Sequence, residues 1–317
     1  MSQARAFAAE RPSARGGGFA PFDYGLYTLI VLLWGSSWIA LHLQLGVVAP
    51  EVSLVWRFAL AALIMVGWTV LTGQPLRFAL GEHLRFAVLG VTLFSSNFLL
   101  FYYGGMSTPS GLLAVVFSLA AVFNILLSAL FFGERPGARV VTAAVLGFAG
   151  VAAMFAPQLL GAAFTAAAWH GLGLGVAGTL SFCLGTMVSV SGQRRGVPVA
   201  SATTWGMIYG TLFLILLSLL RGQAFIIEPT TRYLGALVWS ALFSSVFAFA
   251  AYMTLLGRIG ADRTGYSTVM YPVVALAIST VAEGYVWTWP AIAGLVLVIV
   301  GNLLMLTRPR RGALSAH

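Results

Sequence analysis

The stretch Ser53–Trp68, SLVWRFALAALIMVGW, is apolar throughout except for Ser53 and one arginine, Arg57. With its flanks it extends over residues 51–72, and about 20 apolar residues suffice to cross the hydrocarbon core of a bilayer. An arginine at the centre of such a helix costs about 2.5–3.5 kcal/mol to insert. The run therefore sets the fold class and asks what a charge does inside it. Arg57 comes seven residues after Pro50, roughly 10 Å along a helix axis, about a third of the way through a core of ~30 Å.

The rest of the chain agrees with a membrane setting. Of 317 residues 60% are hydrophobic and 8% charged, and the mean hydropathy is +0.94. A soluble domain carries about a quarter charged residues, so this chain cannot cover a surface facing water. The net charge of +9 and pI near 10.3 do not mark a nucleic-acid binder, because the basic residues sit scattered at the ends of apolar runs. All 17 are arginines. The single cysteine, Cys183, excludes an internal disulfide and a cysteine-based metal cluster. Neither a metal nor a cofactor is expected. Residues 1–22 lack an apolar core segment and read as a disordered cytoplasmic tail rather than a cleavable signal.

Ten runs predict membrane spans, at about 24–43, 51–72, 85–103, 109–132, 138–156, 168–191, 198–220, 232–256, 262–283 and 289–307. The fold class is thus all-α integral membrane. Continuous apolar runs, without period-two alternation, exclude a β-barrel. Arginine placement gives the orientation. With the N-terminus inside, fourteen arginines fall in cytoplasmic segments, and Arg221 and Arg232 alone lie outside. Both termini are then cytoplasmic, with residues 308–317 as a second tail.

An internal repeat divides the spans. AVFNILLSALFFGE (121–134) lies over PVVALAISTVAEGY (272–285) at an offset of 151 residues. WGS (34–36) matches LGT (184–186), and APEVSLVWR (49–57) matches VPVASATTW (197–205), pairing Arg57 with Trp205. Halves of five spans each, 24–156 and 168–307, insert with opposite orientation. Inverted repeats of this kind build many secondary transporters, with the substrate held between the halves near the midplane.

LLWGSSWIA near the start, APEVSLVWRFALAALI, FNILLSALFFGERP and YPVVALAISTVAEGYVWT together resemble the drug/metabolite transporter superfamily, specifically its EamA type. That resemblance covers about residues 25–307. It implies ten helices in two five-helix repeats and export of small metabolites, often amino acids, from the bacterial cytoplasm. It also implies a central cavity lined by helices 1–4 and 6–9, with the fifth and tenth packed outside. One departure is Ala121, where the resemblance implies a proline; the second-half counterpart, Pro272, is present.

Candidate substrate contacts follow from side-chain type and depth. Trp34, Trp38 and His42 recur every four residues on one helix face, with the small residues Gly35, Ser36 and Ser37 between. Asn97, mid-membrane, needs a hydrogen-bond partner, whereas Tyr102 and Tyr103 read as an outer aromatic belt. Trp205 and Tyr209 share a face of the seventh span, with Gly206 and Gly210 at close-packing spacing. Ser245 and Tyr252 line the eighth, and Tyr266 and Tyr271 precede Pro272 in the ninth. Together these aromatics predict a cavity suited to stacking.

Glu10, Asp23, Glu82, Glu134, Glu228 and Asp262 fall in tails or loops, and Glu51 opens the second span. Glu283, near the outer end of the ninth, is the best-placed acid for proton coupling, with His42 the second titratable candidate. An exchanger, a uniporter and a weakly proton-coupled carrier all fit this charge pattern.

The expected protein is a secondary transporter in the bacterial inner membrane, exporting amino acids or related compounds by alternating access. It would work as a monomer or weak homodimer, with the bilayer and a small molecule as its partners and no nucleic acid. The runner-up is a multidrug or cation efflux pump. Such pumps hold a membrane acid against the cation, whereas the charge inside a span here is Arg57. A membrane enzyme is the rival class, but no G-x-S-x-G, H-E-x-x-H or Walker-type glycine loop is present.

Overall fold

A computed structural model describes residues 20–133, 138–160, 166–248, 251–252, 254–255 and 267–306. Every described element is helical. In order they are α1 (Pro21–His42), α2 (Pro50–Leu71), α3 (Leu80–Val91), a π-helical turn (Thr92–Ser96), α4 (Asn97–Gly105), α5 (Ser110–Phe117), α6 (Ala120–Phe132), α7 (Ala138–Leu160), α8 (Ala166–Arg194), α9 (Val199–Leu220), α10 (Thr231–Val238), a second π-helical stretch (Trp239–Phe247), α11 (Ser267–Ala282) and α12 (Trp289–Leu306).

Six stretches are long and apolar enough to cross a membrane: Pro21–His42, Pro50–Leu71, Leu80–Gly105, Ser110–Phe131, Trp169–Arg194 and Val199–Leu220. Shorter apolar helices lie at Val141–Pro157, Met270–Ala282 and Trp289–Leu304.

Helix starts follow local chemistry. Pro21 and Pro50 occupy the first helical positions of α1 and α2, where a missing N–H costs nothing. The Asp23 carboxylate accepts from the Ala20 N–H at 3.0 Å. Helix α1 therefore begins inside the segment read from sequence as tail. The fourth expected span is interrupted between Phe117 and Ala120, where the Ser118 hydroxyl donates to the Val115 carbonyl at 2.6 Å. Helix α11 contains Pro272 and continues through it. The break thus falls in the half that lacks the proline.

Glycine sets the closest helix approaches. A Cβ on Gly90 of α3 would lie 2.6 Å from both the Gly206 carbonyl and the Gly210 nitrogen of α9. On Gly150 of α7 it would meet the Gly294 carbonyl of α12 at 2.6 Å. Such backbone-to-backbone contact is how small residues drive association where lipid removes the hydrophobic force.

The two π-helical segments bear nearly the same sequence, LFSSNF at 93–98 and LFSSVF at 242–247. In each, a serine hydroxyl reaches back five residues to a carbonyl. Ser95 donates to Gly90 at 2.9 Å, and Ser245 donates to Ser240 at 2.9 Å. A widened turn leaves backbone carbonyls free of the regular ladder, and here the serines fill them.

Contacts between helix ends alternate along the chain. At one end of the bundle, where α1 finishes and α2 begins, Glu51, Tyr103 and Arg221 meet, as do His42, Ser110 and Glu283. At the other end Glu82 meets Arg195, and Arg139 donates to the Leu304 carbonyl. These are called the distal and proximal ends.

Candidate functional site

Arg57 is 3% exposed, two turns into α2. Among the described residues no carboxylate pairs with it. One Nη donates to the Ser245 hydroxyl over a long 3.4 Å, and Nε has no partner. The guanidinium carbon lies 4.5 Å from the Phe98 ring centroid and 5.3 Å from that of Phe58. Ring faces soften the charge by about 0.5–2 kcal/mol but supply no anion. Seven residues of inward depth alone would allow the side chain to run outward to the headgroups. Its burial and its tie to the second π-helical stretch show instead that it points into the bundle.

Two buried polar groups adjoin it. The Tyr102 hydroxyl, fully buried, lies close enough to interact with Arg57 and with Gln44, yet has hydrogen-bond geometry to neither. This corrects the expectation of an interfacial belt for Tyr102. Gln44, 1% exposed, donates from Nε2 to the Ala40 carbonyl at 2.9 Å, the Ser240 hydroxyl at 3.1 Å and the Ala236 carbonyl at 3.4 Å. Its Oε1 has no partner.

The expected aromatic cavity is not a single space. Trp34 packs with Tyr252 and Tyr271 at centroid distances of 5.3 and 5.5 Å, and its indole donates to the Ser244 carbonyl at 3.0 Å. Trp38 lies elsewhere, edge-on to Phe101 at 5.0 Å and 5.6 Å from Phe117. Trp205 and Tyr209 form a third group towards the proximal end. Trp205 donates to the Leu76 carbonyl at 3.0 Å and meets the His83 ring at 4.5 Å, while the Tyr209 hydroxyl bonds His83 Nδ1 at 3.0 Å. Helical spacing put these side chains on shared faces, but each face is divided between different neighbours. His83, just before the third expected span at 85–103, belongs to α3. Asn97 is 3% exposed, donates to the Leu93 carbonyl at 3.1 Å and keeps Oδ1 unpartnered. Tyr266 lies outside the described residues.

The two coupling candidates, 241 positions apart in sequence, come together. Glu283, the residue after α11, accepts from the Ser110 N–H at 3.1 and 3.2 Å and from its hydroxyl at 2.6 Å, capping α5. His42 Nδ1 sits 3.2 Å from Glu283 Oε1, at ion-pair distance but without hydrogen-bond geometry. Glu51, fully buried, accepts from the Tyr103 hydroxyl at 2.7 Å and from Arg221 at 3.2 Å, joining α2, α4 and α9. A cleft of about 300 Å³ opens beside this group, lined by Leu45, Val48, Pro50, Met106, Gln223 and Ile226. Among the described residues no cluster of His, Cys, Asp and Glu could hold a metal ion.

The sequence profile of the EamA-like transporter family matches residues 24–156 and again residues 169–307. This chain belongs to that family. Among relatives of this EamA protein, a "Probable amino-acid metabolite efflux pump" of Salmonella typhimurium is 26% identical over 288 residues, 88% of this chain and 93% of the relative. The "Uncharacterized inner membrane transporter YedA" of Escherichia coli (strain K12) is 26% identical over 296 residues, 90% of this chain and 93% of the relative. A "Probable terminal-alkyne amino-acid exporter" of Streptantibioticus cattleyicolor is 27% identical over 220 residues, 69% and 71% of the two chains. One crystal structure superposes with a TM-score of 0.64 over 89% of this chain and 96% of the other, at 17% identity. That likeness speaks for the fold alone.

Sequence reasoning on this EamA protein missed Gln44 and misplaced Tyr102. Gln44 is a lone amide in LHLQLGVV, beyond the last turn of α1, where the run reads as an ordinary outer loop. The signal that could have found both is the mirrored LFSS pair, which marks where the eighth expected span opens its backbone towards α1 and α2.

Proposed function

We propose that this protein is a secondary transporter that exports small amino-acid-like metabolites from the cytoplasm across the bacterial inner membrane by alternating access, with Arg57 holding the substrate carboxylate. The carrying observation is the Arg57 guanidinium, 3% exposed, with no carboxylate partner among the described residues and an unpartnered Nε. A planar guanidinium offers two parallel N–H bonds to a carboxylate, a geometry a lysine cannot copy.

The two-half architecture is supported by the same profile matching twice and by the matching π-helical segments. It is supported too by contacts that respect a two-fold exchange: α7 packs on α12, α2 on α9, α1 on α11, and α8 on α5 and α6. Each half would hold five spans, inserted oppositely. The excess of arginines in the segments at the proximal end supports a cytoplasmic position for that end. The names of the relatives support an outward, amino-acid-related cargo.

Cation efflux is disfavoured by one observation. The buried Glu51 and the part-buried Glu283 at the distal end are already engaged, Glu51 by Arg221 and Tyr103, Glu283 by Ser110 and His42. The test is Arg57→Lys in proteoliposomes, offered amino acids and their carboxamides. The variant keeps the charge and should lose about tenfold or more in transport of free carboxylates, with little change for the amides. Equal transport of both cargo classes by variant and wild type would end the carboxylate assignment.

A further inference from the structure

Arginine is a long, flexible side chain, and a clamp needs its fork held at one angle. The bond that can hold it comes from the other half of the chain. Arg57 lies in the first profile match and Ser245 in the second, and one Nη of Arg57 donates to the Ser245 oxygen at 3.4 Å. The rings of Phe98 and Phe58, at 4.5 and 5.3 Å, bound the guanidinium from the first half. A ring face attracts the charge without choosing which N–H points where; a hydrogen bond is directional and does choose.

The Ser245 hydroxyl is arranged to accept. It carries one proton, and that proton goes to the Ser240 carbonyl at 2.9 Å, five residues back across the widened turn. Its lone pairs are left for Arg57. The stretch that carries Ser245 is itself pinned: Gln44 Nε2, just beyond α1, donates to the Ser240 hydroxyl at 3.1 Å and to the Ala236 carbonyl at 3.4 Å. The counterpart in the first π-helical turn, Ser95, instead acts as a donor towards two carbonyls, of Gly90 and Gly210, at 2.9 Å each. The bond to Ser245 takes one of the five guanidinium N–H groups, and Nε–H stays without a partner. The fork is oriented without being used up.

We propose that Ser245 is a positioning residue, which acts through Arg57 by turning the guanidinium so that its free N–H groups meet the cargo carboxylate, and does not itself touch the cargo. The proposal rests on the carboxylate role given to Arg57 above. Without the Ser245 bond the arginine regains rotamers that binding must freeze again, which weakens carboxylates by about two- to tenfold. The clamp then belongs to both halves together, since Arg57 is aligned while the second π-helical stretch lies against α2.

Binding is measured on the full chain in lipid nanodiscs with three probes: L-leucine, isocaproate, which keeps the carboxylate and lacks the amine, and L-leucinamide, which lacks the carboxylate. Ser245→Ala should weaken L-leucine and isocaproate by the same factor and leave L-leucinamide unchanged. Ser245→Thr keeps the hydroxyl and should bind both acids nearly as the wild type does. A ligand-free arm addresses the contact itself. Ser245→Asp sets a carboxylate where the hydroxyl faces Arg57, so the pair should form, melting should stay near that of the wild type, and both acids should cease to bind. Combined with Arg57→Met, the same aspartate is a buried unpaired charge, and melting should fall far lower.

Unchanged binding of both acids in Ser245→Ala overturns the positioning role. Equal weakening of all three probes, or a loss confined to L-leucine, overturns it too, since the first marks general disruption and the second direct contact with the amine. So does a Ser245→Asp variant that melts equally early with and without Arg57. The carboxylate reading fails separately, as an Arg57→Met variant that binds both acids as the wild type does; that result, or a wild type that binds neither acid, ends the positioning role as well.

Discussion

Replacing Arg57 by methionine separates a binding role from a structural one. An arginine in a membrane interior costs about 2.5–3.5 kcal/mol. In return the side chain has one hydrogen bond of 3.4 Å to Ser245 and two ring contacts at 4.5 and 5.3 Å. The bond is long, so it lies at or below the low end of the ~1.5–3 kcal/mol usual for a charged donor. The rings add about 0.5–2 kcal/mol. Cost and gain come out about equal. Methionine fills similar volume without charge, so Arg57→Met should unfold within a few degrees of the wild type or later. Binding should respond quite differently. Truncating one partner of a buried charge pair costs about 2–5 kcal/mol, or about thirtyfold to several thousandfold in affinity. Thermal unfolding of the ligand-free protein and titration with amino acids, both in nanodiscs, read the two quantities separately. A variant that melts far below the wild type yet binds amino acids normally would refute the reasoning. Arg57 would then serve to tie α2 to the second π-helical stretch.

Glu283→Gln can still accept from the Ser110 N–H and hydroxyl, so α5 should remain capped while the charge facing His42 is lost. If this pair couples transport to protons, the variant should exchange labelled for unlabelled amino acid in proteoliposomes without responding to a pH gradient; gradient-driven transport at the wild-type rate would remove the pair from coupling. For orientation, Gly81→Cys at the proximal end should react with an impermeant thiol reagent only in opened cells, and Ala224→Cys at the distal end in intact ones. Labelling of Gly81→Cys in intact cells would reverse the assignment of sides.

The membrane class was legible because hydrocarbon leaves few options. Backbone groups in lipid must be paired within the segment, so long apolar runs can only be helices, and their lengths follow from bilayer thickness. Glycine spacing was legible too: Gly206 and Gly210 do meet a facing glycine, Gly90, because only such residues let backbones touch. What periodicity could not carry was the partner of each face. Trp34 and Trp38 lie one turn apart on α1, yet one packs against Tyr252 and Tyr271 and the other against Phe101 and Phe117. A helix face in a bundle of this kind changes neighbours along its length, and the sequence of one helix holds no record of where.

The residues around Arg57 show the same limit from the other side. Gln44, Arg57, Tyr102 and Ser245 come from four separate stretches, and each has a bland local reading: a loop amide, a snorkelling cation, an interfacial ring, a serine in an apolar helix. Their joint meaning depends on the second π-helical stretch. A turn widened to five residues brings Ser240 to the Gln44 amide and Ser245 to Arg57, while the Ser245 hydroxyl closes back on the Ser240 carbonyl. In the first half the matching LFSS segment makes the equivalent bond from Ser95 to Gly90, and Ser95 also donates to the Gly210 carbonyl. The repeat thus supplies one backbone device twice, and the second copy is the one that holds Arg57 through Ser245. An asymmetry of that kind is what a site needs if two similar halves are to hold a cargo with two different ends.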